Sequence, residues 1–72
     1  MKTKLLLVGA GGFGRVALEH AVEQYDCAFV DDGPELGTLV NGVAVIGRIS
    51  DLQLLHDEAG YEQLIVTIGN NK

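Results

Sequence analysis

Val8-Gly9-Ala10-Gly11-Gly12-Phe13-Gly14-Arg15 (VGAGGFGR) follows directly on the apolar run Lys4-Leu5-Leu6-Leu7. Gly9, Gly11 and Gly14 stand in the spacing G-x-G-x-x-G. Each glycine has a physical role in a turn from strand to helix. Gly9 permits the tight turn, Gly11 lets phosphates approach the backbone, and Gly14 lets the helix pack closely on the strand. Unpaired N–H groups at the helix start, together with the positive end of the helix dipole, then favour an anion. The spacing alone is unspecific, because a ligand-free glycine-rich turn has the same pattern. Its context narrows the reading: a strand precedes it, a helix follows, and an acid, Asp31, stands 22 residues beyond Gly9.

Working outward, the continuous apolar run "KLLLVGA" has strand length and suits a strand covered on both faces. From Phe13 to Gln24 the pattern becomes helical. Phe13, Ala17 and Ala21 recur every four residues, with Val16 and Val22 beside them and Glu19, His20 and Glu23 facing away. "CAFVDD" reads as a second strand ending in two acids, and Gly33-Pro34 opens a loop running to about Asn41. "GVAVIG" is a third strand. Ser50 is expected to cap a second helix, with Gln53 three residues on, an apolar stripe of Leu52, Leu55 and Ala59, and Gly60 as its stop. "QLIVTIG" gives a fourth strand. This alternation predicts an α/β fold: a small Rossmann-like open parallel sheet of about four strands with two helices. Residues 1–72 form one domain. A covering helix is expected after the last strand, so the sequence reads as the N-terminal part of a longer protein.

Ligands of open α/β sheets bind at the carboxyl ends of the strands. Asp31, Asp32, Gly69 and Asn70 all fall at such ends, on the same rim as the glycine turn. Asp31-Asp32-Gly33-Pro34 also has the composition of an ordinary turn. An acid there can accept hydrogen bonds from ribose hydroxyls or a base N–H, and it disfavours a 2′-phosphate, which calls for an arginine. Asn70 and Asn71 offer uncharged donors and acceptors to a sugar or pyrimidine edge, or form a plain polar strand exit. Arg15 reads equally as a phosphate contact or a surface residue. His20 and His56 lie on polar helix faces without a ligand-spaced partner. Cys27, the one cysteine, sits in a strand-like run and reads as a small buried thiol rather than a nucleophile. No catalytic triad, carboxylate pair or metal spacing emerges, so neither catalytic nor metal-binding residues are expected here.

The net charge is −5, from ten acids against five bases, with no basic cluster. Long-range repulsion disfavours nucleic acid and anionic membranes as partners. The apolar runs are too short to span a bilayer, and no cleavage-site pattern follows Met1-Lys2-Thr3-Lys4. A cytoplasmic location is expected.

"KLLLVGAGGFGR", "FVDD", "NGVAVIGRISDL" and "IVTIGNNK" together resemble, over essentially the whole chain, the N-terminal domain of bacterial sugar acyltransferases. This is the family of sialic-acid O-acetyltransferases and UDP-aminosugar N-acetyltransferases. The resemblance implies a Rossmann-like domain that binds the nucleotide sugar. A C-terminal left-handed β-helix of hexapeptide repeats would bind acetyl-CoA, supply the catalytic histidine and form a homotrimer. Carried over by matching motif, Gly11, Gly12 and Phe13 would contact the nucleotide sugar, Asp31 and Asp32 its uridine, and Gly69 the same pocket. Members commonly carry histidine where this chain has Phe13. No hexapeptide repeat occurs in the 72 residues, so acetyl-CoA binding is expected on the full-length parent, with no cofactor on this chain.

The leading expectation is therefore a nucleotide-sugar-binding domain, of UDP-sugar type, in an acetyl-CoA-dependent sugar acyltransferase. Its expected site comprises Gly9, Gly11, Gly12, Phe13, Gly14, Asp31, Asp32, Gly69 and Asn70. Two alternatives are an NAD-binding module of a dehydrogenase or redox sensor, and a ligand-free interaction domain.

Overall fold

A computed structural model describes residues 2–66. The elements run β1 (Thr3–Val8), α1 (Gly12–Ala21), β2 (Tyr25–Val30), β3 (Leu39–Val40), β4 (Val43–Gly47), a 3-10 turn (Ile49–Asp51), α2 (Leu52–Ala59) and β5 (Gln63–Val66). They form one sheet in the order β3-β4-β2-β1-β5. β1 pairs in parallel with β2 and β5, and β2 in parallel with β4, while β3 is antiparallel to β4. The architecture is the small Rossmann-like α/β domain expected, with one strand more.

β1 explains why the sheet lies in the middle. Leu5 and Leu7 cluster with Leu18 and Ala21 of α1, and with Phe29 and Val45 of neighbouring strands. Leu6 points the other way, to a cluster with Ala28 and Val30 that Ile49, Leu52, Leu55 and Tyr61 cover. A strand alternates its side chains between faces, so an unbroken leucine run needs a helix on each side. Burial of each such leucine contributes about 1.5–3 kcal/mol relative to exposure. β5, at the sheet edge, leaves Leu64, Ile65 and Val66 exposed.

Four local expectations need correction. The buried face of α1 is Gly14, Leu18 and Ala21, while Phe13, Val16 and Val22 are exposed. The helix is turned because Gly14, which has no side chain to hold it off, is the residue that meets the strand. The helix also ends at Ala21 rather than near Gln24. The supposed loop between Gly33 and Asn41 contains β3, joined to β4 by Asn41-Gly42 with φ values of 52° and 83°. That pair of left-handed residues is the two-residue hairpin turn for which Asn-Gly is the preferred sequence. Finally, Ser50 is not the helix cap. The turn begins at Arg48, whose amide donates to Asp51 Oδ2 at 2.9 Å, and Ser50 lies exposed inside it. Gly60 does end α2, in the left-handed conformation.

Candidate functional site

Parallel pairing brings the carboxyl ends of β1, β2, β4 and β5 to one edge of the sheet. The chain passes from β1 outward to β2 and β4, then crosses to the other side of β1 as β5. Strand order reverses at β1, and such a switch point leaves a crevice outside the strand ends. The glycine turn is the exit of β1 and therefore lies at that crevice.

The turn divides its glycines by job. Gly9 has φ of 107°, a conformation that strains any side chain, while its amide donates to the Val30 carbonyl at 2.8 Å. A Cβ on Gly14 would lie 2.1 Å from the Gly9 carbonyl oxygen and 3.1 Å from Phe29 Cε1, so only glycine fits between helix and strand. Gly11 and Gly12 are different: a Cβ at either meets nothing within 4 Å. Their flank is open. Gly11 caps α1 with extended backbone and no side-chain hydrogen bond, and the first turn holds no acid. The first intrahelical bond runs from the Arg15 amide to the Gly11 carbonyl at 3.0 Å. The amides of Gly12, Phe13 and Gly14 precede it and have no acceptor within the helix. Phe13, next in the first turn of α1, is 64% exposed.

The paired aspartates both turn toward backbone. Asp31 Oδ2 accepts the Ala10 amide at 2.7 Å, and its Oδ1 accepts the Gly33 amide at 2.8 Å. These two bonds, led by Ala10, hold the carboxyl below the usual aspartate range, against a smaller opposing effect of burial. The Asp32 amide and the nearby Arg48 charge act in the same direction. Asp32 Oδ1 accepts the Ile49 amide at 2.9 Å and so steadies the turn after β4. Each carboxylate has about four lone-pair sites, so these bonds leave acceptor capacity on both groups. Gly69 and Asn70 lie outside the described residues.

Two contributors were missed in the sequence. The Ala10 amide, the inner partner of Asp31, has no signature because backbone donors carry none. Arg48 does have one, a cation directly after a strand-ending glycine, and its guanidinium donates to the carbonyls of Asp31 and Pro34. At this point β4 carries one extra residue, Ile46, relative to β2, a bulge of the kind often found beside sites.

The remaining candidates stay apart. Arg15 and His20 are exposed on α1, and His56 pairs with Asp57 at 3.1 Å in solvent. Cys27 is half-buried, its thiol pushed up by burial and then by Asp26, which disfavours the thiolate. Among the described residues no group of acids, histidines and cysteine is arranged to hold a metal, and no helix is long and apolar enough to cross a membrane. A hollow lined by Lys2, Thr3, Lys4, Gly60 and Glu62 lies at the amino end of β1, away from the glycine turn. There Lys4 Nζ donates to the Ala59 carbonyl at 2.8 Å and stands 5.3 Å from the Tyr61 ring centre.

A family model for the PglD N-terminal domain matches residues 4–72. The chain belongs to this family. Comparison with curated proteins and with solved structures returns no match. The family is the N-terminal domain of PglD-type UDP-sugar N-acetyltransferases, in agreement with the resemblance in the four sequence motifs. In this PglD-type domain the glycine turn, "FVDD" and the "GVAVIGR" strand exit converge on one rim. The chain is thus related to the N-terminal domain of a sugar acetyltransferase.

Proposed function

We propose that this domain binds a nucleotide sugar of the UDP class and holds it for acyl transfer from acetyl-CoA on another domain. The observation that carries the reading is the open cup at Gly11 and Gly12, set at the switch point of the sheet on the amino end of α1. Helix-end amides and the dipole there suit a diphosphate. The spare acceptor positions of Asp31 and Asp32 suit the N–H and hydroxyl donors of a nucleoside. Phe13 presents an apolar ring to whatever leaves the cup on that side.

In this reading the domain contributes to catalysis by position. Binding energy from the nucleotide orients the sugar's amine or hydroxyl, lowering the entropic part of the barrier without any reacting group on the domain. Acetyl-CoA binding and trimer formation belong, in the same reading, to a further domain of the parent enzyme.

Calorimetric titration of the chain with UDP-N-acetylhexosamines is the test. Saturable heat that UDP reproduces, and that NADH does not displace, is the expected result. Saturation by NADH with none by UDP would overturn it in favour of a dinucleotide module, and absence of both leaves an interaction domain.

A further inference from the structure

Arg48 stands where β4 ends, directly after Gly47 and two residues past the bulge at Ile46. Its guanidinium Nη1 donates to the Asp31 carbonyl at 3.1 Å and to the Pro34 carbonyl. Its own amide is held by Asp51 Oδ2 at 2.9 Å, and the next amide, that of Ile49, by Asp32 Oδ1 at 2.9 Å. In the opposite direction the Asp31 amide donates to the Gly47 carbonyl at 3.1 Å. The exits of β2 and β4 are tied both ways. From Asp31 the bonds continue, through its carboxylate, to Ala10 inside the glycine turn.

We propose that Arg48 is a positioning residue for the glycine turn. It clamps the Asp31–Pro34 segment so that the Asp31 carboxylate keeps the Ala10 amide, and thereby sets the cup from two strands away. The consequence for affinity rests on the nucleotide-sugar reading; the clamp itself does not. Both carbonyls are met by one nitrogen, Nη1, held out at the end of a planar, permanently charged group. A lysine ammonium has donors enough for two carbonyls but sits on a shorter, more flexible stem, so it loses the reach and the pre-organisation. Among the described residues Arg48 is the side chain that bonds Asp31. The Asp31 carboxylate accepts the Ala10 and Gly33 amides, and its own amide donates to the Gly47 carbonyl.

Arg48→Met and Arg48→Lys in the 72-residue chain test this by amide hydrogen exchange and by titration with UDP. In both variants the Ala10 and Gly33 amides are expected to exchange about tenfold faster, the equivalent of one charge-assisted hydrogen bond lost. Amides of Leu6 and Phe29 should keep the wild-type rate. The dissociation constant for UDP should rise by about the same factor, and added methylguanidinium should restore both readouts in the Met variant. Unchanged Ala10 exchange overturns the proposal, as does equal acceleration through the core, which is mere global destabilisation. Full recovery by lysine also overturns it, because the reach and planarity of the guanidinium would then play no part. If the wild-type chain ignores UDP while Ala10 still responds to the substitution, the functional reading falls and the clamp stands.

Discussion

Asp31 Oδ2 accepts the Ala10 amide at 2.7 Å, which fastens the carboxyl end of β2 to the turn leaving β1. This bond makes the acid a part of the cup's frame before any ligand arrives. It also makes the frame sensitive to pH.

The direction follows from linkage. Asp31 has its carboxyl pKa lowered in the folded chain, chiefly by the Ala10 amide and then by the Gly33 amide. A lowered pKa contributes stability that is present above the unfolded value, about 3.9, and is lost as pH falls through the folded value. Urea denaturation followed from pH 6 down to pH 2 should therefore show wild type losing stability below about pH 4 more steeply than Asp31→Asn. Parallel curves for the two proteins would mean that the carboxylate does not hold the turn.

The glycines of the turn should separate under substitution. Gly14→Ala places a Cβ 2.1 Å from the Gly9 carbonyl, so helix and strand must part. A cost of about 1–3 kcal/mol or more is expected from such overpacking. Gly12→Ala meets open space and should leave the unfolding midpoint nearly unchanged, while weakening nucleotide binding about tenfold by occupying the cup. Thermal melts and calorimetry on the two variants decide this; similar melting losses for both would contradict the division of roles.

The hairpin between β3 and β4 makes a third prediction. Gly42 has φ of 83°, and Gly42→Val should destabilise the chain by about 1–2 kcal/mol through left-handed strain. The loss belongs to the edge hairpin, so amide shifts at Gly9–Phe13 should stay in place. Displacement of those shifts would show that the hairpin and the cup are coupled.

Much of this fold was legible because its signals are backbone signals. The leucine run needed cover on both faces and has it, in Leu5 and Leu7 against α1 and Leu6 against the α2 side. Gly14 was readable as a contact point, and that reading should have set the helix face as well. The four-residue repeat of Phe13, Ala17 and Ala21 points to a neighbouring face, because hydrophobic periodicity registers side-chain size and a bare Gly14 contributes nothing to it. β3 was also readable, since Asn41-Gly42 between Leu39-Val40 and Val43-Ala44 is a hairpin signature. What no pattern carries is the pairing of Asp31 with the Ala10 amide, or of Arg48 with the Asp31 and Pro34 carbonyls. Those are side chain-to-backbone bonds between distant segments, fixed only once the strands are side by side.

The central claim is that the amides around Gly11 and Gly12 receive the diphosphate of a nucleotide sugar. Backbone amide shifts of the labelled chain, recorded while UDP-N-acetylglucosamine is added, test it most directly. The account predicts saturable movement concentrated at Gly9 through Phe13 and at Asp31 and Asp32, with Lys2, Lys4 and Gly60 at the opposite end of β1 unmoved. No saturable movement at the glycine turn, or movement confined to that opposite end, would contradict it.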